Sequence, residues 1–421
     1  MTIFLIKGGI RLEYDKLSKI FYKTDSKTHL LEYEKRINSY GSYKTNLSFR
    51  PFRKEKVMNQ EETLFFVNID KLVKLYEEVL TNSCTIQLAV AKLPPFVVEP
   101  YFYKLIINEA QSNNEIEGIR STKEELSNVL EHVHDTKATA KKRFLGMMKT
   151  YNYINKLEPI RSIEDFRKLY DELVADEIPK NKQPDGKYFR TEDISVTDGA
   201  KVTHRGIESE SKIIEKLKEI IYFLNTSEIP DLYKYMIAHY YYEYIHPFYD
   251  GNGRTGRLMV CSYVSRKLER YSAITLSYAI NNDKPKYYKA LENVSNPHDK
   301  GELTFYLIDM LELLSSGQKA IIEDIQLGLA KAQRIKEYIK GLDWTNDNLL
   351  KKVLHIQLDI MVFAGESRLL TNAELVQVLG VTAHKINKVM AELEERQIVH
   401  LIKQRPKTFA ITDAFLEGIF I

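Results

Sequence analysis

The sequence predicts a mainly α-helical fold, with a short β-hairpin in its middle and a helix–turn–helix closed by a strand pair at its C-terminal end. Three observations carry this. Apolar residues recur at helical spacing through most of the chain, with cap signals where helices should begin. Only two short stretches, within residues 194–203 and 398–411, read as paired strands. Finally, Asp231–Ile245 is rich in Tyr, Ile and Met on nearly every side, as in a helix enclosed by protein rather than one with a single apolar stripe.

The composition suits that class. At 421 residues, with 44% hydrophobic and 28% charged, the chain is long enough for two or three domains and a sizeable core. No run approaches the roughly 18 apolar residues of a membrane span. The apolar part of Met1–Lys7 is too short for a secretory signal. Cys84 and Cys261 lack any ligand spacing and read as core residues, which suits a cytoplasmic location. The net charge is only +3, yet residues 1–56 hold 13 Lys+Arg against 6 Asp+Glu. Such a basic arm either touches nucleic acid or an acidic partner, or is the solvated surface of a small lobe.

Taken in order, residues 1–60 alternate short apolar runs with Tyr, Lys and Gly and read as a small mixed region. Helical spacing starts at Asn68 and stops at Leu93-Pro94-Pro95, since proline cannot continue a helix. Further helices are expected from about Pro100 to Ser112, then Lys123–His132, Ala138–Leu157 and Ser162–Asp176. Thr122 with Glu125, and Ser162 with Asp165, have the spacing of capping boxes. After the turn-rich stretch 183–190, Ile194-Ser-Val196 and Lys201-Val202-Thr203 flank Asp198-Gly199 as a hairpin, with His204-Arg205-Gly206 as a loop. Helices follow at Ile207–Leu224, Asp231–Ile245 and Thr255–Leu268. The stretch Ser272–Ile280 leads on to Tyr287-Tyr288. Glu302–Leu342 has long helical periodicity with a charged face, suiting a connecting or dimer-forming helix. Leu350–Phe363, Thr371–Gly380 and Ala383–Gln397 are the terminal helices. Ile398–Ile402 and Thr408–Ile411 then flank Arg405-Pro406-Lys407.

The densest chemistry lies in His246-Pro-Phe248-Tyr-Asp250-Gly251-Asn252-Gly253-Arg254-Thr-Gly256-Arg257, between two buried helices. A helix start has unpaired N–H groups and partial positive charge, so it suits an anion. Gly251, Gly253 and Gly256 let the backbone approach that anion. Arg254 and Arg257, three apart, share a helical face, and their forks match phosphate oxygens. Asp250 is a hard oxygen ligand suited to Mg²⁺ on phosphates. His246, with an unperturbed pKa of about 6.5, can take a proton from an attacking hydroxyl. Together these parts suit transfer of a phosphorus-containing group.

The string matches H-x-F-x-[D/E]-G-N-G-R-x-x-R and so resembles the active-site motif of Fic-domain proteins. The resemblance is strongest over residues 100–300. It implies a Fic-type helical core in which AMP passes from ATP to a Tyr, Ser or Thr hydroxyl of a target protein or of the chain itself. His246 would be the base, and Asp250 would hold Mg²⁺ or Mn²⁺. Gly251, Asn252, Gly253, Arg254, Gly256 and Arg257 would bind the nucleotide, with Phe248 anchoring the loop. Ile194, Val196 and Val202 would belong to a flap that aligns the target's backbone. Asn113 to Gly118 is similar to the family's inhibitory [S/T]-x-x-x-E-[G/N] motif, with Asn113 in place of Ser or Thr. It implies that Glu117 pairs with Arg257 and holds the enzyme silent. A family relative that phosphorylates has Lys where Gly253 stands, so Gly253 favours AMP transfer. Removal of AMP, with the inhibitory Glu positioning water, is an alternative within the class.

The remaining chain divides into an N-terminal region 1–99, connecting helices 301–348 and a terminal unit 349–421 that looks like a winged helix. That unit opens a different reading: a DNA-binding or toxin–antitoxin-like regulator with a subordinate core. A protein-docking or homodimerising role for the unit is the other option.

Overall fold

The computed structural model describes residues 14–131, 133, 143–197, 199 and 201–420. Helices account for most of them, and the strands pair only two by two. The mixed first region holds two short helices, Leu17–Lys23 and Ser26–Ile37, and an antiparallel strand pair, Ser42–Phe49 with Glu62–Val67. Asp25 caps the second helix by accepting from the Lys27 and Thr28 N–H groups. The strand pair buries Leu47, Phe49, Leu64 and Phe66. Main-chain bonds from Phe65 to Gly301 and Leu303 dock it just ahead of the long helix Thr304–Lys340. An edge that would otherwise be open is thereby covered.

The helix Asp70–Val90 lies along Thr304–Lys340, where Gln318 donates to the Val79 carbonyl at 3.1 Å. Cys84 faces outward from it, so the core expectation holds for the buried Cys261 but not for Cys84. The next helix starts at Pro95 rather than Pro100 and runs to Ile116. Pro95 occupies the first helical turn, where a missing N–H costs nothing, while Pro100 sits inside the helix and forgoes one bond. The longer helix has a buried face from Val97 to Asn113, and Glu117 caps its end.

Thr122 caps Lys123–Leu130, and Ser162 with Asp165 forms a capping box on Ile163–Leu173. The helix expected over 138–157 is Leu145–Asn152 followed by a 3₁₀ turn; His132, residues 138–142 and Asp198 lie outside the described residues. The hairpin pairs Ser195–Thr197 with Val202–Arg205, so His204 and Arg205 belong to a strand and not to a loop. Two bonds hold them there: His204 Nε2 meets the Tyr244 carbonyl at 2.7 Å, and Gly206 N–H reaches the Ile194 carbonyl.

The helix Glu210–Thr226 leads to the central pair, Asp231–Ile245 and Asn252–Lys267, buried along almost their full lengths. The second of the pair begins three residues before the expected Thr255. Gly251, at φ 84°, makes the left-handed turn that lets Asn252 be the first helical residue. Three shorter helices, Arg270–Ala273, Leu276–Asn282 and Lys284–Ser295, return the chain to Thr304–Lys340. At the C-terminal end come Asn348–Ala364, then Asn372–Leu379 between a Thr371/Glu374 capping box and the left-handed Gly380, then Ala383–Glu395. Antiparallel strands Val399–Gln404 and Lys407–Ile411 follow, and a last helix, Asp413–Phe420, had no counterpart in the sequence reading. Asn348–Ala364 packs against Pro95–Ile116, the helix that ends at Glu117. Among the described residues no helix is long and apolar enough to cross a membrane.

Candidate active site

Six residues, from His246 to Gly251, link the central helices. His246 caps the first one in the left-handed conformation, φ 53°, with its N–H on the Tyr242 carbonyl at 3.0 Å. Burial, then the neighbouring His204 and Arg190, lower its imidazole pKa to about 3, against a weaker opposing hydrogen bond to the Glu243 main chain. The ring is therefore neutral at pH 7. A nitrogen that donates to the Glu243 carbonyl leaves its partner as the acceptor, which is what a general base requires.

Four other residues hold the loop. Asn252 accepts from the Phe248 N–H at 2.9 Å and donates to the Phe248 carbonyl at 2.7 Å, so its side chain closes the loop on itself. The sequence reading put Asn252 in the anion cradle; its amide is occupied, and only its backbone N–H is available for that role. Phe248 is fully buried and stacks on Tyr170, with centroids 3.7 Å apart. Asp250 accepts from Gly251 N–H at 2.7 Å and from Lys182 Nζ at 3.2 Å, with part of its side chain open to solvent. Arg190 is fully buried and makes no ion pair among the described residues. It donates instead to the carbonyls of His246 at 2.8 Å, Glu192 at 2.7 Å and Ile207 at 2.7 Å. A Cβ on Gly206 would collide with that guanidinium and approach the His246 Cβ to 3.1 Å, so this position requires glycine.

Both motif arginines are buried and paired. Arg254 donates to Glu177 Oε2 at 2.8 Å, and its Nε has no acceptor among the described residues. Arg257 gives Nε to Asn113 Oδ1 at 2.7 Å and Nη2 to Glu117 Oε1 at 2.6 Å and to the Asn113 carbonyl at 3.2 Å. Burial opposes the charge on Arg257, but Glu117, Tyr287 and Glu243 outweigh it and hold the pKa above its ordinary value. The Glu117 carboxylate also lies against Gly253, in the first turn of Asn252–Lys267, where any Cβ would strike it. An anion of the chain itself thus sits where a helix N-terminus attracts one.

Gly256 faces the other central helix. A Cβ there would collide with Glu243 and come within 3.0 Å of Tyr242, so its smallness serves the contact between the central helices. Behind it Glu243 is raised to about 8, by burial first, with Arg257 opposing and Glu117 adding to the rise. His239, lowered to about 3 by burial and then Arg257, shares a hydrogen bond with the Tyr287 hydroxyl at 2.9 Å. Tyr287 is a buried core residue, whereas Tyr288 is half exposed and donates to the Ile116 carbonyl at 3.2 Å.

The hairpin stands beside the loop. Val196 is opposite His204, whose ring centroid is 6.3 Å from that of His246. Ile194, Val196 and Val202 are each partly exposed along it. Arg190, Glu177, Gly206 and Glu243 were not singled out from the sequence. Only Glu243 has a local signal, being a carboxylate near the C-terminal end of a largely buried, Tyr-rich helix whose other acid, Asp231, lies in the first turn.

Residues 160–264 match the family model described as Fic/DOC family. A Fic family protein from Desulfovibrio desulfuricans G20 shares the fold, with a TM-score of 0.50 at 17% identity over 82% of this chain and 97% of that one. Weaker likenesses are Fic-1 from C. elegans (TM-score 0.40, 18% identity, 60% and 73% covered) and a Fic domain containing signaling protein from Bacteroides thetaiotaomicron (0.39, 18%, 61% and 96%). The His246 loop, all of Asp231–Ile245 and all but the last three residues of Asn252–Lys267 fall inside the matched region, so over residues 160–264 the chain carries a Fic/DOC family domain.

Proposed function

We propose that this chain is a protein adenylyltransferase that moves AMP from ATP to a protein hydroxyl and is held silent by Glu117. One observation carries the reading: the Glu117 carboxylate is bonded to Arg257 and lies against Gly253 at the mouth of Asn252–Lys267. An internal acid in a site built for anions acts as a stand-in for phosphate. Once it withdraws, Arg257 is free for a nucleotide's outer phosphates. The unpartnered Arg254 Nε is a second donor ready for them.

In the reaction His246 takes the proton of the target hydroxyl as its oxygen bonds to the α-phosphorus. The α–β anhydride bond breaks, and pyrophosphate leaves with the electron pair. The backbone N–H groups of Asn252 and Gly253 and both arginines serve the charge that develops. Burial suits a ring that must start neutral, and the approaching phosphates raise its basicity during transfer. Asp250 fits Mg²⁺ as one carboxylate beside substrate phosphates, because Mg²⁺ keeps few protein ligands. Among the described residues no three acids, histidines or cysteines cluster as a metal cage. When bound, the metal neutralises phosphate charge. Lys182 would then give up its contact with Asp250.

Intact mass after incubation with Mg²⁺-ATP tests this. Glu117→Gly should gain AMP, and the same variant with His246→Ala should lose at least about 100-fold of the rate, as expected when a general base is removed. The wild type should gain little. Hydrogen bonds to charged groups are worth about 1.5–3 kcal/mol, so losing the Glu117 contact should raise incorporation roughly 10- to 100-fold. No incorporation by Glu117→Gly into itself or into lysate proteins would overturn the assignment.

A further inference from the structure

We infer that the C-terminal helix–turn–helix and its strand pair form a docking surface for double-stranded DNA, independent of the transfer reaction. Four exposed cations mark the surface. Lys385 and Lys388 are exposed on the first two turns of Ala383–Glu395; Arg405 and Lys407 are exposed at the turn between the strands. None of the four is in an ion pair with a described residue, and none has an acid within the first two turns of that helix. Two nearby acids are taken up by cations of their own: Glu374 pairs with Arg368, and Glu392 with Arg396.

A chain of contacts makes the two basic groups one surface. Thr408, next to Lys407, bridges Thr371. Asn372, next to Thr371, donates to Asn387 Oδ1 at 2.9 Å, and Asn387 adjoins Lys388. The strand turn therefore flanks the basic half of the second helix, while Glu394 and Glu395 lie at its far end. A helix with cations at its N-terminal half, beside a basic strand turn, fits a major groove flanked by two phosphate backbones. The ends of the surface differ in sign, so a duplex would be met by the N-terminal half alone. An acidic protein partner would use the same cations, but it would not require the basic helix half and the basic turn to be joined into one surface.

The test is fluorescence anisotropy of the full chain with a labelled 30-bp duplex of mixed sequence, at low and moderate salt. Binding at low salt is expected. Lys385→Glu/Lys388→Glu and Arg405→Glu/Lys407→Glu should each weaken it at least about tenfold and lower the slope of log affinity against log salt by about two, near one per phosphate contact. Unchanged melting temperatures establish that these surface variants are folded, and if charge reversal unfolds either, the alanine pair is read instead. Absence of duplex binding at low salt overturns the inference. So does equal binding by both variants, which would move the contact to another basic segment such as residues 16–56.

Discussion

Asn113 shows how one side chain can keep a contact while changing its chemistry. The family-like motif has a hydroxyl residue at this position, yet Asn113 Oδ1 accepts from Arg257 Nε while Nδ2 reaches the Tyr151 hydroxyl at 2.8 Å. The amide serves the two partners from two separate atoms, where a hydroxyl would have to serve both from one oxygen, and it steadies the arginine in the pose that Glu117 holds. Replacing Asn113 with Ala leaves a buried guanidinium N–H unpaired, at a cost of about 1–3 kcal/mol. We expect Asn113→Ala to lower the melting temperature and to raise AMP incorporation, though less than Glu117→Gly, because the stronger charged contact remains. A melting change with incorporation still at the wild-type level would assign Asn113 to stability alone. Arg190 acts in the opposite manner: with no ion pair among the described residues, it ties the four carbonyls of Glu192, Ile207, Ile245 and His246, and its lowered pKa follows from burial.

At the scale of elements, the close contact of the two central helices decides the site. Asp231–Ile245 delivers His246 at its C-terminal end and Asn252–Lys267 offers its N-terminal end, so the proposed base and anion site meet only if the helices approach closely. Gly256 permits that approach. An alanine in a free helix would gain about 1 kcal/mol over glycine, but here its methyl meets Glu243 and Tyr242, and overpacking costs about 1–3 kcal/mol. Steric cost prevails at the upper half of that range. Gly256→Ala should therefore melt lower than wild type by calorimetry and, in the Glu117→Gly background, show a reduced rate. A variant that melts higher would mean the contact is looser than the geometry indicates.

Over the whole molecule, buried titratable groups set the pH range of stability. His204, His239 and His246 are held neutral, with pKa values lowered to about 4, 3 and 3. Unfolding returns them to about 6.5, so the unfolded chain binds more protons and stability falls as pH drops below that value. Glu243, raised to about 8, has the reverse sign: the folded chain holds its proton, and stability falls as pH rises from about 4.5 through 8. Asp359, raised to about 7 by burial, adds to this second limb. Three histidines outweigh these two acids below pH 6.5, which predicts a maximum melting temperature near that pH. Glu243→Gln should flatten the decline between about pH 6.5 and 8 and leave the acid limb in place. An alkaline decline of unchanged size in that variant would count against a protonated Glu243.

Much of this was legible in the chain itself, wherever the physics is local. Capping boxes at Ser162 and Thr371, the all-round burial of Asp231–Ile245 and the turn at Gly251 depend on residues within a few positions of one another. The motif residues follow one another without a break, so the loop between the two central helices could be read directly. The Glu117–Arg257 contact could be anticipated only through family resemblance, because 140 residues separate the two. Pairings between distant segments needed the tertiary structure. It tied Arg254 to Glu177, turned the Asn252 amide onto its own loop, aimed Gly256 at Glu243 and faced Cys84 outward. Local sequence sets which groups a segment can offer; only packing at long range decides which partner each of them meets.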